Sequence, residues 1–171
     1  MRGSAAALPW RDGSFDRIFC VNALHHFPDR MQFFAEARRV LRPGGGLITI
    51  GKDPHKTSDD WWVYDYFTET REIDQARYAA VRILRGELTL AGFATAESFE
   101  ADRIEAVTTA ADAFAAGLID PAYTSQLAVL SDDEFARGVE RIRLAQAERA
   151  ADGAELHLIS DFKLFATIGW V

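Results

Sequence analysis

Two apolar runs with a helix pattern between them constrain this chain most. FDRIFCV, Phe15 to Val21, has the β-branched and aromatic content of a strand and no clean alternation. That suits a strand buried on both faces of a parallel sheet. Asp29 then stands as a helix N-cap, with Gln32 three residues on in capping-box spacing. Phe33, Phe34, Ala37, Val40 and Leu41 recur at helical period and predict the buried face. Pro43 and Gly44 should stop the helix, and LITIG from Leu47 reads as a second strand. Strand, helix and strand joined by short turns predict a βαβ unit with a right-handed crossover.

The remainder supports a larger α/β fold. Residues 58–92 read as helical and aromatic-rich, ending at Gly92; Phe93 to Ala101 is a third strand candidate. Ile104 to Leu130 reads as Ala-rich helix, with Val107, Ala111, Phe114 and Leu118 on one stripe and a break near Gly117 to Pro121. SDDE at Ser131 to Glu134 is a capping box opening a helix to about Ala150, with Phe135, Val139 and Ile142 inward. In DFKLFATIGW, Phe162, Leu164, Ala166, Ile168 and Trp170 alternate with Lys163, Phe165, Thr167 and Gly169. This predicts a half-buried strand, antiparallel to its neighbours. A length of 171 residues suits one domain, 1–171, with helical insertions over 58–92 and 104–150.

Composition narrows the partners. A formal charge of -7, with acids and bases interspersed, offers no basic stripe for nucleic acid. No apolar run has the length of a membrane span, and the N-terminus is too soon broken by Pro9 for a signal peptide. The single cysteine, Cys20, has no disulfide partner and reads as an inert core residue, and His25, His26, His55 and His157 lack metal-ligand spacing. A cytoplasmic, metal-free protein is the expectation.

Location decides which motifs can carry chemistry. RPGGG, Arg42 to Gly46, follows a helix and precedes a strand, so it lies opposite the ligand edge of an open α/β sheet. It reads as structural, with Gly44 as a left-handed helix C-cap. NALHHF begins where the first strand ends, which is the ligand side.

The stretch from Gly3 to Gly51, with LPWRDGSFD, ALHHF and RVLRPGG in order, resembles the class I S-adenosylmethionine-dependent methyltransferases, in the small-molecule branch typified by the quinone-biosynthesis enzymes. The resemblance implies a Rossmann-like sheet of order 3-2-1-4-5-7-6 with strand 7 antiparallel. Phe15 to Val21, Leu47 to Gly51, Phe93 to Ala101 and Phe162 to Gly169 would be strands 4, 5, 6 and 7. The family's glycine-rich loop and ribose-binding acid have no counterpart here, so a C-terminal portion of such an enzyme, with weak cofactor binding, is expected. MRGS also opens some expression tags.

The implied activity is methyl transfer from S-adenosylmethionine to a small-molecule acceptor. The implied cofactor contacts are Ser4 and Ala5 at the adenine and Asn22, Ala23 and Leu24 at the methionine end. Ser4 and Ala5 could equally be a terminus without ligand contact, and Asn22 a strand-end turn residue. His25 and His26 face the transferring methyl; either is a general base or a packing histidine. Trp61, Trp62 and Tyr66 either line a hydrophobic acceptor pocket or belong to the core. The competing reading is a non-catalytic remnant, or a homodimer paired through the exposed edge of 15–21.

Overall fold

Asp29 takes the Gln32 N–H on its carboxylate at 2.9 Å and starts helix α1, Arg30–Val40. Phe33, Phe34, Ala37 and Val40 form its buried face, as the periodicity predicts. Strand β1, Phe15–Val21, precedes it, and β2, Leu41–Gly51, follows and pairs with β1 in parallel. The computed structural model describes residues 3–56 and 59–171. The tag-like Met1 and Arg2, and the expected helical start at Ser58, lie outside the described residues.

The helix ends earlier than Pro43 and Gly44 suggest. Leu41 is already extended and caps α1, so Gly44 is not its C-cap. Pro43 and Gly44 instead sit in an irregular start of β2, where pairing jumps from Phe15↔Leu41 to Arg17↔Gly46. Gly44 has φ 75°, and its N–H reaches the Val171 carbonyl at 3.0 Å. At Gly45 a Cβ would lie 2.7 Å from the Arg42 carbonyl, and at Gly46 2.9 Å from the Trp170 ring. The glycine run is therefore structural: it lets backbone and indole approach.

The last strand, β5 (His157–Trp170), pairs antiparallel with β2, Gly46 opposite Trp170 through Gly51 opposite Phe165. Strand β4, Thr95–Thr109, pairs with β5, giving the order β1-β2-β5-β4. This is the 4-5-7-6 order that the resemblance implies. The expected one-sided burial of β5 does not hold, since Thr167 and Gly169 are buried too. Phe93 and Leu88 lie over Gly169, where a Cβ would meet the Phe93 ring at 2.8 Å, and the Ser98 and Thr167 hydroxyls meet at 3.0 Å.

The chain divides into two compact units: Met1–His55, Arg77–Asp102 and Lys163–Val171 form one, Lys56–Ala76 and Arg103–Phe162 the other. The physical reason is that each has its own core. The first packs Phe33, Phe34, Ala37, Leu41 and Leu47 against Leu88 and Phe93, the former on helix α4, Val81–Leu90. Cys20 belongs to this core, and burial pushes its thiol up to about 11. An inert thiol follows.

The second unit holds β3 (Asp60–Trp61), α2 (Trp62–Tyr66), α3 (Glu69–Arg77, whose last residue belongs to the first unit), α5 (Ala110–Ala115), α6 (Ser125–Ala128) and α7 (Asp132–Ala151). β3 pairs with β5 through Asp60↔Asp161 and Trp61↔Ser160. The capping box at Ser131 and Glu134 is present, and Ile142 is fully buried on α7. The insertions are less helical than the sequence suggests. Arg103 to Thr109 continues β4, leaving Val107 exposed, because Ile104, Val107, Thr108 and Thr109 favour extended backbone. Thr109 then caps α5 by accepting the Asp112 N–H at 3.1 Å.

Residues 8–12 are tied to α1 through Glu36 and Arg39, the latter also paired with Asp12 at 2.7 Å. The Glu36 carboxylate accepts the Leu8 N–H at 2.8 Å and pairs with Arg39 at 2.8 Å; Arg39 also donates to the Leu8 and Trp10 carbonyls. The Arg39 guanidinium, then the Leu8 N–H, holds Glu36 down at about 2, from 4.5. A lowered carboxylate stabilises the fold above about 4.5, and that contribution is lost as the pH falls toward 2. The Leu8 amide should therefore lose hydrogen-exchange protection across this window, and Glu36→Gln should remove the pH dependence. Protection that is flat from pH 5 to pH 2 would show that Glu36 does not hold the segment.

Candidate functional site

Asn22 leaves β1 with φ 46°, the one non-glycine residue at positive φ among those described, and its N–H is held by the Ile50 carbonyl at 2.8 Å. Asn tolerates this left-handed conformation better than most residues. The turn swings the chain off the carboxyl end of β1 into a single 3-10 turn, Leu24–His26. His25 therefore stands at the edge where parallel α/β sheets hold ligands.

Asn22, Ala23, Leu24 and His25 border one small cleft with Thr49 to Lys52 from the end of β2 and Arg77 to Ala79 from the segment between α3 and α4. Its volume is about 30 Å³, room for about a water. His25 is half-buried, and the Tyr78 ring stacks on it with centroids 4.0 Å apart at 17°. The Tyr78 hydroxyl lies 3.2 Å from His25 Nε2, and the His26 ring lies 4.0 Å from the His25 ring. Arg30 borders the same cleft, paired with Glu87 at 2.9 Å.

The two histidines are thus separated by their surroundings. His26 is exposed and does not line the cleft. Ala23 also borders a second, apolar hollow of about 570 Å³ beside β1, with Ala5, Phe15, Phe19, Val21 and Phe27. That is the size of a small-molecule site. Ala5 thus shares a hollow with Ala23, whereas Ser4 lies on a smaller one, of about 170 Å³, with Pro9 and Trp10, its hydroxyl accepting the Ala6 N–H at 3.2 Å.

Trp61 and Trp62 take the core alternative. They are 6% and 2% exposed and lie in the core of the second unit rather than on a pocket wall. Trp61 packs on Tyr64 and Phe162, and Trp62 on Phe67 and Tyr123. The segment is a two-residue strand leading into a short helix, so successive rings are buried on several sides at once. Tyr66 is partly buried against the same cluster, and its carbonyl accepts from Arg141 at 2.8 Å.

Reading the sequence did not single out Tyr78, Lys52 or Arg77. Tyr78 stands in a helical-looking run, and no Gly or Pro marks the break that turns it toward His25. Among the described residues, no group of three His, Cys, Asp or Glu side chains could hold a metal, and no helix is long and apolar enough to cross a membrane.

Residues 1–49 match the family model described as a methyltransferase domain. The phthiotriol/phenolphthiotriol dimycocerosates methyltransferase 1 of Mycobacterium ulcerans (strain Agy99) is 36% identical over 86 residues, 50% of this chain and 31% of that protein. The 27-O-demethylrifamycin SV methyltransferase of Amycolatopsis mediterranei (strain S699) is 51% identical over 43 residues, 25% of this chain and 16% of that one. The chain spans a third or less of the length of these curated relatives. Among solved structures, a protein from Anabaena variabilis ATCC 29413, described as a methyltransferase from an antibiotic biosynthesis pathway, superposes with TM-score 0.69 at 22% identity. The match covers 98% of this chain and 71% of that one.

Proposed function

We propose, for a chain whose residues 1–49 match a methyltransferase domain and whose fold superposes on a solved structure of that kind, that it is part of a class I S-adenosylmethionine-dependent methyltransferase and takes part in methyl transfer to a small-molecule acceptor with His25 as the general base. The observation that carries this reading is the gathering of Asn22, Ala23, Leu24 and His25 at the carboxyl end of β1, with the large hollow beginning at Ala23. The cleft at His25 is too small for a cofactor, so the body of S-adenosylmethionine would belong to the larger hollow, between Ala5 and Ala23. Asn22, Ala23 and Leu24 would hold its methionine end, and Ser4 its adenine end.

These residues fit part of the cofactor. Neither hollow is lined by a carboxylate that could bind ribose hydroxyls, so binding by these residues alone should be weak, with Kd above roughly 0.1 mM, or less than about 5.5 kcal/mol. When bound, the sulfonium supplies an activated methyl group. What His25 adds is removal of the proton from the acceptor atom, at the edge of its cleft. Relatives named for 27-O-demethylrifamycin SV and phthiotriol dimycocerosates make oxygen the acceptor atom to test first. A cytoplasmic setting belongs to the same reading.

Transfer of labelled methyl to hydroxylated apolar acceptors, with calorimetry of cofactor binding, tests it. His25→Ala should lower kcat by about 10²- to 10⁴-fold with little change in cofactor affinity, whereas His26→Ala should change it only a few-fold. Unchanged turnover in His25→Ala would make His25 a packing residue. A second reading, a non-catalytic chain that pairs through β1, is favoured by the exposure of Phe19 and Val21 on that strand.

A further inference from the structure

We propose that the outer face of α1 and α4 docks the chain on an anionic phospholipid surface. The inference is independent of the methyl-transfer reading and starts from charge. A formal charge of -7 for the whole chain conceals a division between its two units. The first unit has twelve Lys and Arg against nine Asp and Glu; the second has seven against seventeen. The first is therefore +3 and the second -10. Counting along the sequence averages the two, because the units are interleaved in the chain.

Within the first unit, two ties hold α1 and α4 side by side. Arg30, at the start of α1, grips the Glu87 carboxylate at 2.9 and 3.2 Å. Arg38, near its end, donates to the Gly92 carbonyl just past α4 at 2.7 Å. Phe33, Phe34 and Ala37 of α1 and Leu88 of α4 turn inward to the core. The outward side carries Arg38, Arg82 and Arg85, all exposed, and with them the exposed Met31, Ile83 and Leu90. Leu90 is 81% exposed. Ile83, Gly86 and Leu90 share one face of α4 by helical spacing, and a Cβ at Gly86 would meet nothing within 4 Å. The acids of the two helices are Glu36 and Glu87, and each is held by an arginine of α1. The surplus positive charge of this face therefore belongs to Arg38, Arg82 and Arg85.

The mixture of arginine and bare apolar side chains selects the partner. Nucleic acid would match the arginines but leave Met31, Ile83 and Leu90 against phosphate. A folded acidic protein would have to match the outward curve of two helices around scattered apolar side chains. A bilayer surface needs no fixed shape. Its phosphates take the guanidinium donors, and Ile83 and Leu90 reach the headgroup and acyl boundary beneath. Arginine stems can lie along that boundary while their heads stay at the phosphates. Neither helix is long enough to cross a membrane, so the chain would lie on it. The charge of the second unit opposes binding, so the attraction must come from this face.

Co-sedimentation of the 171-residue chain with vesicles tests this without any turnover. The chain should bind vesicles of phosphatidylcholine with about one-third phosphatidylglycerol, and bind phosphatidylcholine alone at least roughly tenfold more weakly. Arg82→Gln with Arg85→Gln should weaken binding by about 25-fold, near fivefold for each charge. Leu90→Ser should weaken it by about tenfold, through lost apolar burial. Arg143→Gln, on α7 of the second unit, should leave it unchanged. Four results would each overturn the proposal: no sedimentation with anionic vesicles, equal binding to phosphatidylcholine alone, an arginine pair that changes nothing, or equal loss with Arg143→Gln. Tighter binding to a single-stranded oligonucleotide, unaffected by Leu90→Ser, would overturn it in favour of nucleic acid. An arginine-dependent rise in mass without vesicles would overturn it in favour of the acidic unit of a second copy.

Discussion

Asp74→Ala is expected to lower the unfolding free energy by about 3–5 kcal/mol, the combined cost of taking the acceptor from two buried hydrogen-bond donors. Asp74 is 1% exposed on α3 and accepts the Tyr64 hydroxyl at 2.7 Å and the Gln126 amide at 2.9 Å. Tyr64 and Gln126 are themselves 4% and 3% exposed, so water does not replace the lost acceptor. Each would lose this acceptor inside the core that holds Leu127 and Ile142. Asp74→Asn keeps one acceptor oxygen and should cost less, about 1–3 kcal/mol. Against a typical total of about 5–15 kcal/mol, the alanine variant loses a large share. With a urea slope of about 1–3 kcal/mol per molar, the midpoint should fall by more than roughly 1 M. The amides of Ile142 and Leu158 should lose hydrogen-exchange protection with it. A loss under about 1 kcal/mol for Asp74→Ala would mean that the cluster is solvated in solution.

This cluster was invisible in the sequence, and the reason separates what is legible from what is not. Phe15 to Val21 reads as a strand because every residue lies in one local run, and α1 because Asp29 and the four buried positions repeat within eleven residues. Such signals are local. Asp74 and Gln126 are far apart in the chain, and nothing near either announces the other. The same holds for Tyr78 and His25, which meet only because β2 and α4 close around Asp53. Trp61 and Trp62 stayed ambiguous in the sequence for a different reason. Aromatic density is equally compatible with a core and with a pocket until the neighbours that bury it, here Phe162, Phe67 and Tyr123, are known. Continuation of β4 to Thr109 was hidden by alanine and glutamate, whose helical preference is weaker than the pull of sheet pairing. The position of His25 was legible because strand ends on a parallel sheet have a fixed functional side.

The chain is expected to self-associate through β1, and Phe19→Lys to return it to monomer. Among the described residues β1 pairs only with β2, so one row of its N–H and C=O groups faces outward. Edge strands are usually protected by charge. Here the two charges on the strand are turned back on the chain itself. Asp16 is held by Arg42 at 2.8 Å, and Arg17 donates to the Asp16 carbonyl at 2.6 Å and lies over the Trp170 ring. Neither is directed to defend the edge, while Phe19 is 63% and Val21 52% exposed. A partner strand would gain both backbone pairing and burial of Phe19 and Val21. We propose a second copy of the chain as that partner. A two-fold dimer brings identical strands together antiparallel, each satisfying the other's row. Light scattering across a concentration series should show a mass near twice that of the chain. A lysine at Phe19 places a charge that a second strand would have to desolvate and should shift the dimer to monomer. Phe99→Lys, at an exposed position on β4, should leave the dimer intact. A single monomeric species at several hundred micromolar would rule the pairing out, as would equal dissociation by both lysines.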